Sequence, residues 1–207
     1  MRLEDAVHRI GEIHAQVLRG ELFRGYRALP TAATGLVALA AAAAQTVWWP
    51  PYDANDFVRY WVGVCLICSA LVGIDFAISV LLRSERLDPR RAGTVLLQFA
   101  PAAVVVGVLT YLWRNGPLTP VLPALWTACF GLGVLSSRPY LPRSIGFVAG
   151  IYLCGAAVLG YRASIGEPPS PWGMGLTFGI GQIAAALILY TSLERPERRA
   201  SNAWEGI

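Results

Sequence analysis

The chain has 207 residues, 55% of them hydrophobic and 14% charged, with a formal net charge of +4 and a pI near 9.1. That balance lies outside the range of soluble domains, where about a quarter of the residues are charged. All 17 basic residues are arginine, since the sequence contains no lysine, so a phosphate-binding glycine loop ending in lysine is excluded.

Residues 1–28 form an amphipathic arm. Leu3, Ala6, Val7, Ile10, Ile13, Val17 and Leu18 recur at helical spacing, with Arg2, Asp5, Arg9, Glu12, Gln16 and Arg19 mostly on the other side. The pattern predicts a helix of about five turns ended by Gly20. Joined directly to an apolar run, such a helix lies in the membrane interface. His8 and His14 are six residues apart, whereas a helix presents metal-binding pairs at a spacing of four, so they read as interface polar residues. The acidic residues Glu4, Asp5, Glu12 and Glu21 precede the first apolar run, which does not match a secretory signal, and no cleaved signal is expected.

Six apolar segments follow: Leu29–Trp49, Val58–Leu82, Gly93–Trp113, Leu118–Ser136, Ile145–Tyr161 and Trp172–Leu193. A helix needs about 20 mostly apolar residues to cross a hydrocarbon layer about 30 Å thick. The expected architecture is therefore all-α, with six transmembrane helices in one domain over residues 29–193 and a short tail over 194–207. The fifth segment is the shortest. The first is alanine-rich through Ala40–Ala44, which suits a central position with close helix approach. Pro101 falls inside the third and should kink it. Pro120 and Pro123 fall in the first turns of the fourth, where proline costs less. Gly146 and Gly150, and Gly175 and Gly179, make Gly-x-x-x-Gly steps, which serve either packing within the bundle or pairing between protomers. Trp48, Trp49, Tyr52 and Trp172, with Trp61 and Trp113, read as an aromatic belt at one face. No internal repeat of the kind found in inverted-repeat transporters is visible.

Arginine sets the orientation. Fourteen lie before the first segment, between the second and third, between the fourth and fifth, and after the sixth; Arg59, Arg114 and Arg162 lie on the other side. Arginine-rich short loops stay cytoplasmic, so both termini are expected inside, as in a bacterial inner or plasma membrane. The same distribution explains the basic pI without nucleic acid as a partner and makes anionic lipid headgroups the expected one.

Few residues carry chemistry. Cys65 and Cys68 form a Cys-x-x-Cys inside an apolar segment with no loop cysteine to exchange with, and Cys129 and Cys154 are also mid-membrane, so all four are expected to be inert core residues. No histidine lies in a segment, and Met174 lies near an edge, so no haem or other cofactor, no metal and no catalytic constellation is expected. Apart from Arg59 at the edge of the second segment, Asp75 is the only charged residue inside one, about 10 Å from the helix end at 1.5 Å per residue. An ionised carboxylate there costs on the order of a few kcal/mol or more unless it is paired, hydrated or protonated. Depth matching across the second and third segments brings Gln98 to the level of Asp75, with Ser79 and Arg83 further along the same face. Gln182 and Gln45 could extend this polar line.

Three functions remain open on this reading. The first is a non-enzymatic membrane protein working as an oligomer with itself or as a subunit of a larger assembly. The second is a carrier of a small solute or ion, or its substrate-binding membrane subunit, with a site around Asp75. The third is a membrane enzyme acting on lipid or quinone.

Overall fold

A computed structural model describes residues 28–50, 53–82, 89–138, 141–142 and 144–194, with side chains described for these except 79–82, 89–99 and 193–194. The N-terminal arm and the C-terminal tail lie outside the described residues. Among the described residues six α-helices follow one another: α1 Ala28–Val47, α2 Ala54–Leu82, α3 Pro89–Trp113, α4 Leu122–Ser136, α5 Ile145–Ser164 and α6 Pro171–Leu189. A 3-10 turn, Thr119–Val121, leads into α4, and a π turn, Tyr190–Glu194, prolongs α6. Among the described residues there is no strand.

Five stretches are long and apolar enough to cross a membrane: Ala28–Val47, Ala54–Ile78, Thr119–Ser136, Ile145–Ser164 and Pro171–Ser192. In α3 the stretch Ala100–Trp113 is apolar but shorter than these five among the described residues. The fifth helix has 20 residues and is not the shortest; α4 has 15, because Pro120 and Pro123 tighten its entry into a 3-10 turn.

The ends are set by local chemistry. Asp53 caps α2, its Oδ1 accepting from the Asp56 amide at 2.8 Å. Ser170 caps α6, its Oγ accepting from the Gly173 amide at 3.3 Å, with Pro171 at the first helical position. Beyond α5, Gly166 takes a left-handed φ of 78°. Between α3 and α4, the Thr119 hydroxyl bonds the Trp113 and Gly116 carbonyls at 2.6 and 2.7 Å and ties the connection down.

Side-chain contacts fix an up-and-down order. The α1–α2, α3–α4 and α5–α6 connections share one end, here the tryptophan end after Trp48, Trp49 and Trp172; the starts of α1, α3 and α5 share the other. The tightest pair is α1 with α6. A Cβ at Gly175 would collide with Ala42, one at Gly179 would sit 2.5 Å from Leu39 Cγ, and one at Gly35 would sit 3.1 Å from the Gly179 carbonyl. The Gly175/Gly179 step is thus used within the chain, against the alanine face of α1, where Ala38, Ala41 and Ala42 are buried. The α4–α5 and α5–α6 pairs are comparably close, through Gly131 on Tyr152 and Gly155 on Thr177. Helix α2 packs chiefly on α1 and on the turn before α4, and α3 packs on α4.

Candidate functional site

The polar side chains inside the helices fall into separate groups. At the tryptophan end, Trp61 donates its Nε1–H to Gln45 Oε1 at 2.8 Å, with both residues buried, and the Tyr60 hydroxyl donates to the Ala41 carbonyl at 2.7 Å. Gln45 is therefore bound into the α1–α2 contact and does not extend a polar line. Trp61 is 4% exposed, so it belongs to the core and not to the belt, whereas Trp48 and Trp49 stand exposed. Across the bundle, Trp126 Nε1 donates to the Thr110 hydroxyl at 2.8 Å and joins α4 to α3.

Tyr152 on α5 occupies the middle. Its ring lies 4.8 Å from Phe130 and 5.3 Å from Phe178, and Phe130 and Phe178 are 5.4 Å apart, so three aromatic side chains from α4, α5 and α6 fill the centre. Gly131 faces the Tyr152 Cβ and Gly181 faces its ring, leaving room for no larger residue. The Tyr152 hydroxyl is fully buried and has no hydrogen-bond partner among the described residues. Sequence reading missed this residue: a tyrosine in an apolar run looks like any other apolar position, and the two glycines that frame it lie on other helices.

Asp75 is half-buried on α2 and is not without a partner. The side chains of Ser79 and Gln98 lie outside the description, so the expected cluster is represented by Asp75 alone; the Arg83 position also lies outside the described residues. Gln182 on α6 is half-buried at the level of Gly35, whose added Cβ would meet Gln182 Cβ at 3.1 Å. Cys68 Sγ lies 4.0 Å from the Thr34 carbonyl, so Cys68 marks nearly the same level on α2. Asp75 is seven residues further, about 10 Å by helical rise, so Gln182 and Asp75 stand at different depths.

The four cysteines are free, but they are not all core residues as expected: Cys65 and Cys154 are exposed on helix faces, and Cys68 and Cys129 are half-buried. The reason is that α2 and α5 each turn one side away from the chain's own core. Among the described residues, no three histidine, cysteine, aspartate or glutamate side chains lie together as a metal site would need. A shallow pocket at the tryptophan end, between Pro123, Leu159, Arg162 and Pro169, has room for barely one water, and Arg162 there pairs with Glu167 at 2.8 Å.

Packing differs along the two helices of the α2–α3 hairpin. Phe57, Val58, Trp61 and Val64 are buried, whereas Leu66, Ile67, Leu71, Val72, Ile74 and Ile78 are exposed. Val104, Val105, Val108, Tyr111 and Leu112 of α3 are exposed too. On α5, Gly150 has nothing within 4 Å of an added Cβ, Gly146 meets only the Arg138 side chain, and Phe147, Val158 and Tyr161 beside them are exposed. No family model, no curated protein and no solved structure matches this chain.

Proposed function

We propose that the chain is a membrane protein with six crossings, α1 to α6, both ends on the arginine-rich cytoplasmic side, working as an oligomer or as a subunit of a larger membrane assembly and not as an enzyme. The crossing count rests on α3 being a helix of 25 residues, about 37 Å at 1.5 Å per residue, which suffices for a layer about 30 Å thick. An even count puts both termini on the side where fourteen arginines meet anionic lipid.

The observation that carries the assembly role is the outward Gly146/Gly150 step on α5. Its counterpart on α6 is used against α1, while this one has no helix over it among the described residues. In lipid, helices associate through close packing at small residues, and a flat strip flanked by Phe147, Val158 and Tyr161 has the shape for it. The test is the mass of the particle purified in mild detergent. The parent chain should run as more than one 22.3 kDa unit or with a co-purifying partner, and Gly150→Leu should release single chains. A parent that runs alone as one chain refutes the reading.

A second reading, a carrier of a small solute or ion, draws on a different observation. The bundle is closed at the tryptophan end by Phe57, Trp61, Leu122 and Met174, and the half-buried polar side chains Asp75 and Gln182 lie towards the end where the hairpin is less packed.

A further inference from the structure

The contact between α1 and α2 follows one register. Phe57, Trp61, Val64 and Cys68 recur on α2 at spacings of four and three, which keep one side of a helix towards a partner. Phe57, Trp61 and Val64 share a buried cluster with Ala38 and Ala41 of α1. The Trp61–Gln45 and Tyr60–Ala41 bonds fix the tryptophan end, and Cys68 Sγ lies 4.0 Å from the Thr34 carbonyl. The two helices are antiparallel, so each step onward along α2 matches a step back along α1. Asp75, seven residues beyond Cys68, therefore stands opposite the residue seven before Thr34, which is Arg27. The α1 side of the seam leads to the same residue. Gln45, Ala41, Ala38 and Thr34 step back by four, three and four, and at that spacing Thr31 and Arg27 come next.

The position of Ala28 holds Arg27 to this level. Ala28 is 6% exposed and packs with Ala186 and Leu189 of α6. Consecutive Cα atoms are about 3.8 Å apart, so the anchored start of α1 keeps the Arg27 backbone beside the bundle. Beyond Cys68 the α1–α2 contact opens, since Val64 is 9% exposed and Leu71 40%. A short side chain does not cross such a gap. Arginine does, and its planar fork matches both oxygens of a carboxylate.

We infer that Arg27 pairs with Asp75 and ties the N-terminal arm to the open face of α2. The occupant of that face is the chain's own segment ahead of Ala28, because the face continues the α1–α2 contact and its one carboxylate meets an arginine at the matching level. Asp75 is half-buried and not without a partner. Arg83 lies eight residues further along α2, about 12 Å by helical rise, whereas side chains of one helix meet at spacings of three or four. Within a hydrocarbon layer either charge alone is costly, and each supplies what the other lacks. The pair lies within one chain, so it does not depend on whether chains assemble. On the carrier reading, a cation that reaches Asp75 has to displace Arg27.

A substitution cycle on the full chain in mixed micelles tests the pair. Asp75→Leu and Arg27→Leu should each raise the unfolding constant about tenfold or more, because each leaves one charge without its counterpart. The double variant should return to within about threefold of the parent, since an apolar pair takes the place of the ion pair. A double variant whose loss is the product of the two single losses refutes the pair. So does a silent Arg27→Leu, or an Asp75→Leu loss that Gln98→Leu or Arg83→Leu recovers and Arg27→Leu does not. Crosslinking in membranes reads the same contact without relying on the single variants to fold. With the native cysteines replaced by alanine, a short bifunctional thiol reagent should bridge Arg27→Cys and Asp75→Cys within one chain. It should do so severalfold faster than it bridges Leu29→Cys and Asp75→Cys, because Leu29, 73% exposed, lies off the seam. Bridging no faster than this control overturns the inference. Bridging only between chains also overturns it and gives the face to a second copy.

Discussion

Adding one methyl group at Gly175 measures how tightly α1 and α6 meet. An alanine Cβ there would collide with Ala42 Cβ and sit 3.1 Å from the Ala38 carbonyl, and both obstacles are fixed to the α1 backbone. Neither can rotate aside, so the helices must part. Overpacking of this kind costs about 1–3 kcal/mol, while alanine recovers up to about 1 kcal/mol of helix propensity over glycine. The expected net loss for Gly175→Ala is about 1–2 kcal/mol. Gly150→Ala meets nothing within 4 Å, so in single chains it should show only the propensity gain. The two alanine variants should thus differ by about 2 kcal/mol, more than tenfold in the unfolding constant. The assay is reversible unfolding in mixed micelles, following helical signal against denaturing detergent. Ala42→Gly removes the opposing methyl group, so the double variant should regain much of the loss, and the cycle isolates that single contact. A Gly175→Ala protein as stable as its parent, or one that Ala42→Gly does not rescue, would refute the α1–α6 packing.

The same assay reads two buried polar groups that should respond with opposite signs. Trp61→Phe leaves Gln45 Oε1 buried without its donor and should cost about 1–3 kcal/mol; Gln45→Leu added to it should recover part of that. Tyr152→Phe removes a buried hydroxyl that has no partner, so stability should hold or rise by up to about 1–3 kcal/mol; a loss above 1 kcal/mol would mean that the hydroxyl holds a water or a ligand. For orientation, a cysteine replacing Ala54 should react with an impermeant maleimide in intact cells and one replacing Ala203 only after permeabilisation. The reverse pattern would invert the proposed topology.

Helix positions were legible because apolar length and arginine placement act on each segment by itself. Five apolar crossings can be read without knowing any neighbour. What stayed hidden depends on which sides of two helices meet. Trp61 looked like a belt residue because it lies near the end of its segment; its neighbour Gln45, whose amide oxygen accepts the indole N–H, draws it inward instead. The cysteines looked like core because sulfur in an apolar run is usually packed, yet Cys65 and Cys154 fall on outward sides that composition does not mark. The cluster around Asp75 was inferred from depth across sequence-adjacent helices. The side chains of Ser79 and Gln98, which that inference needs, lie outside the described residues.

Glycine separates the working parts of this molecule more sharply than any polar residue does. Between lipid-embedded helices there is little hydrophobic gain, so a glycine is informative only through what approaches it. Gly35, Gly131, Gly155, Gly173, Gly175, Gly179 and Gly181 would each bring an added Cβ to 3.1 Å or less from a neighbouring helix or turn, and all lie on α1, α4, α5 or α6. Gly63, Gly73, Gly107 and Gly150 have open space, and they lie on α2, on α3 and on the outward side of α5. The first set binds four helices into a body in which no helix can shift without colliding. The second set marks surfaces that no described residue closes: sides of α2 and α3, and the outward side of α5. Substitutions in the first set should therefore register as lost stability in single chains, and substitutions in the second as altered association with the fold intact.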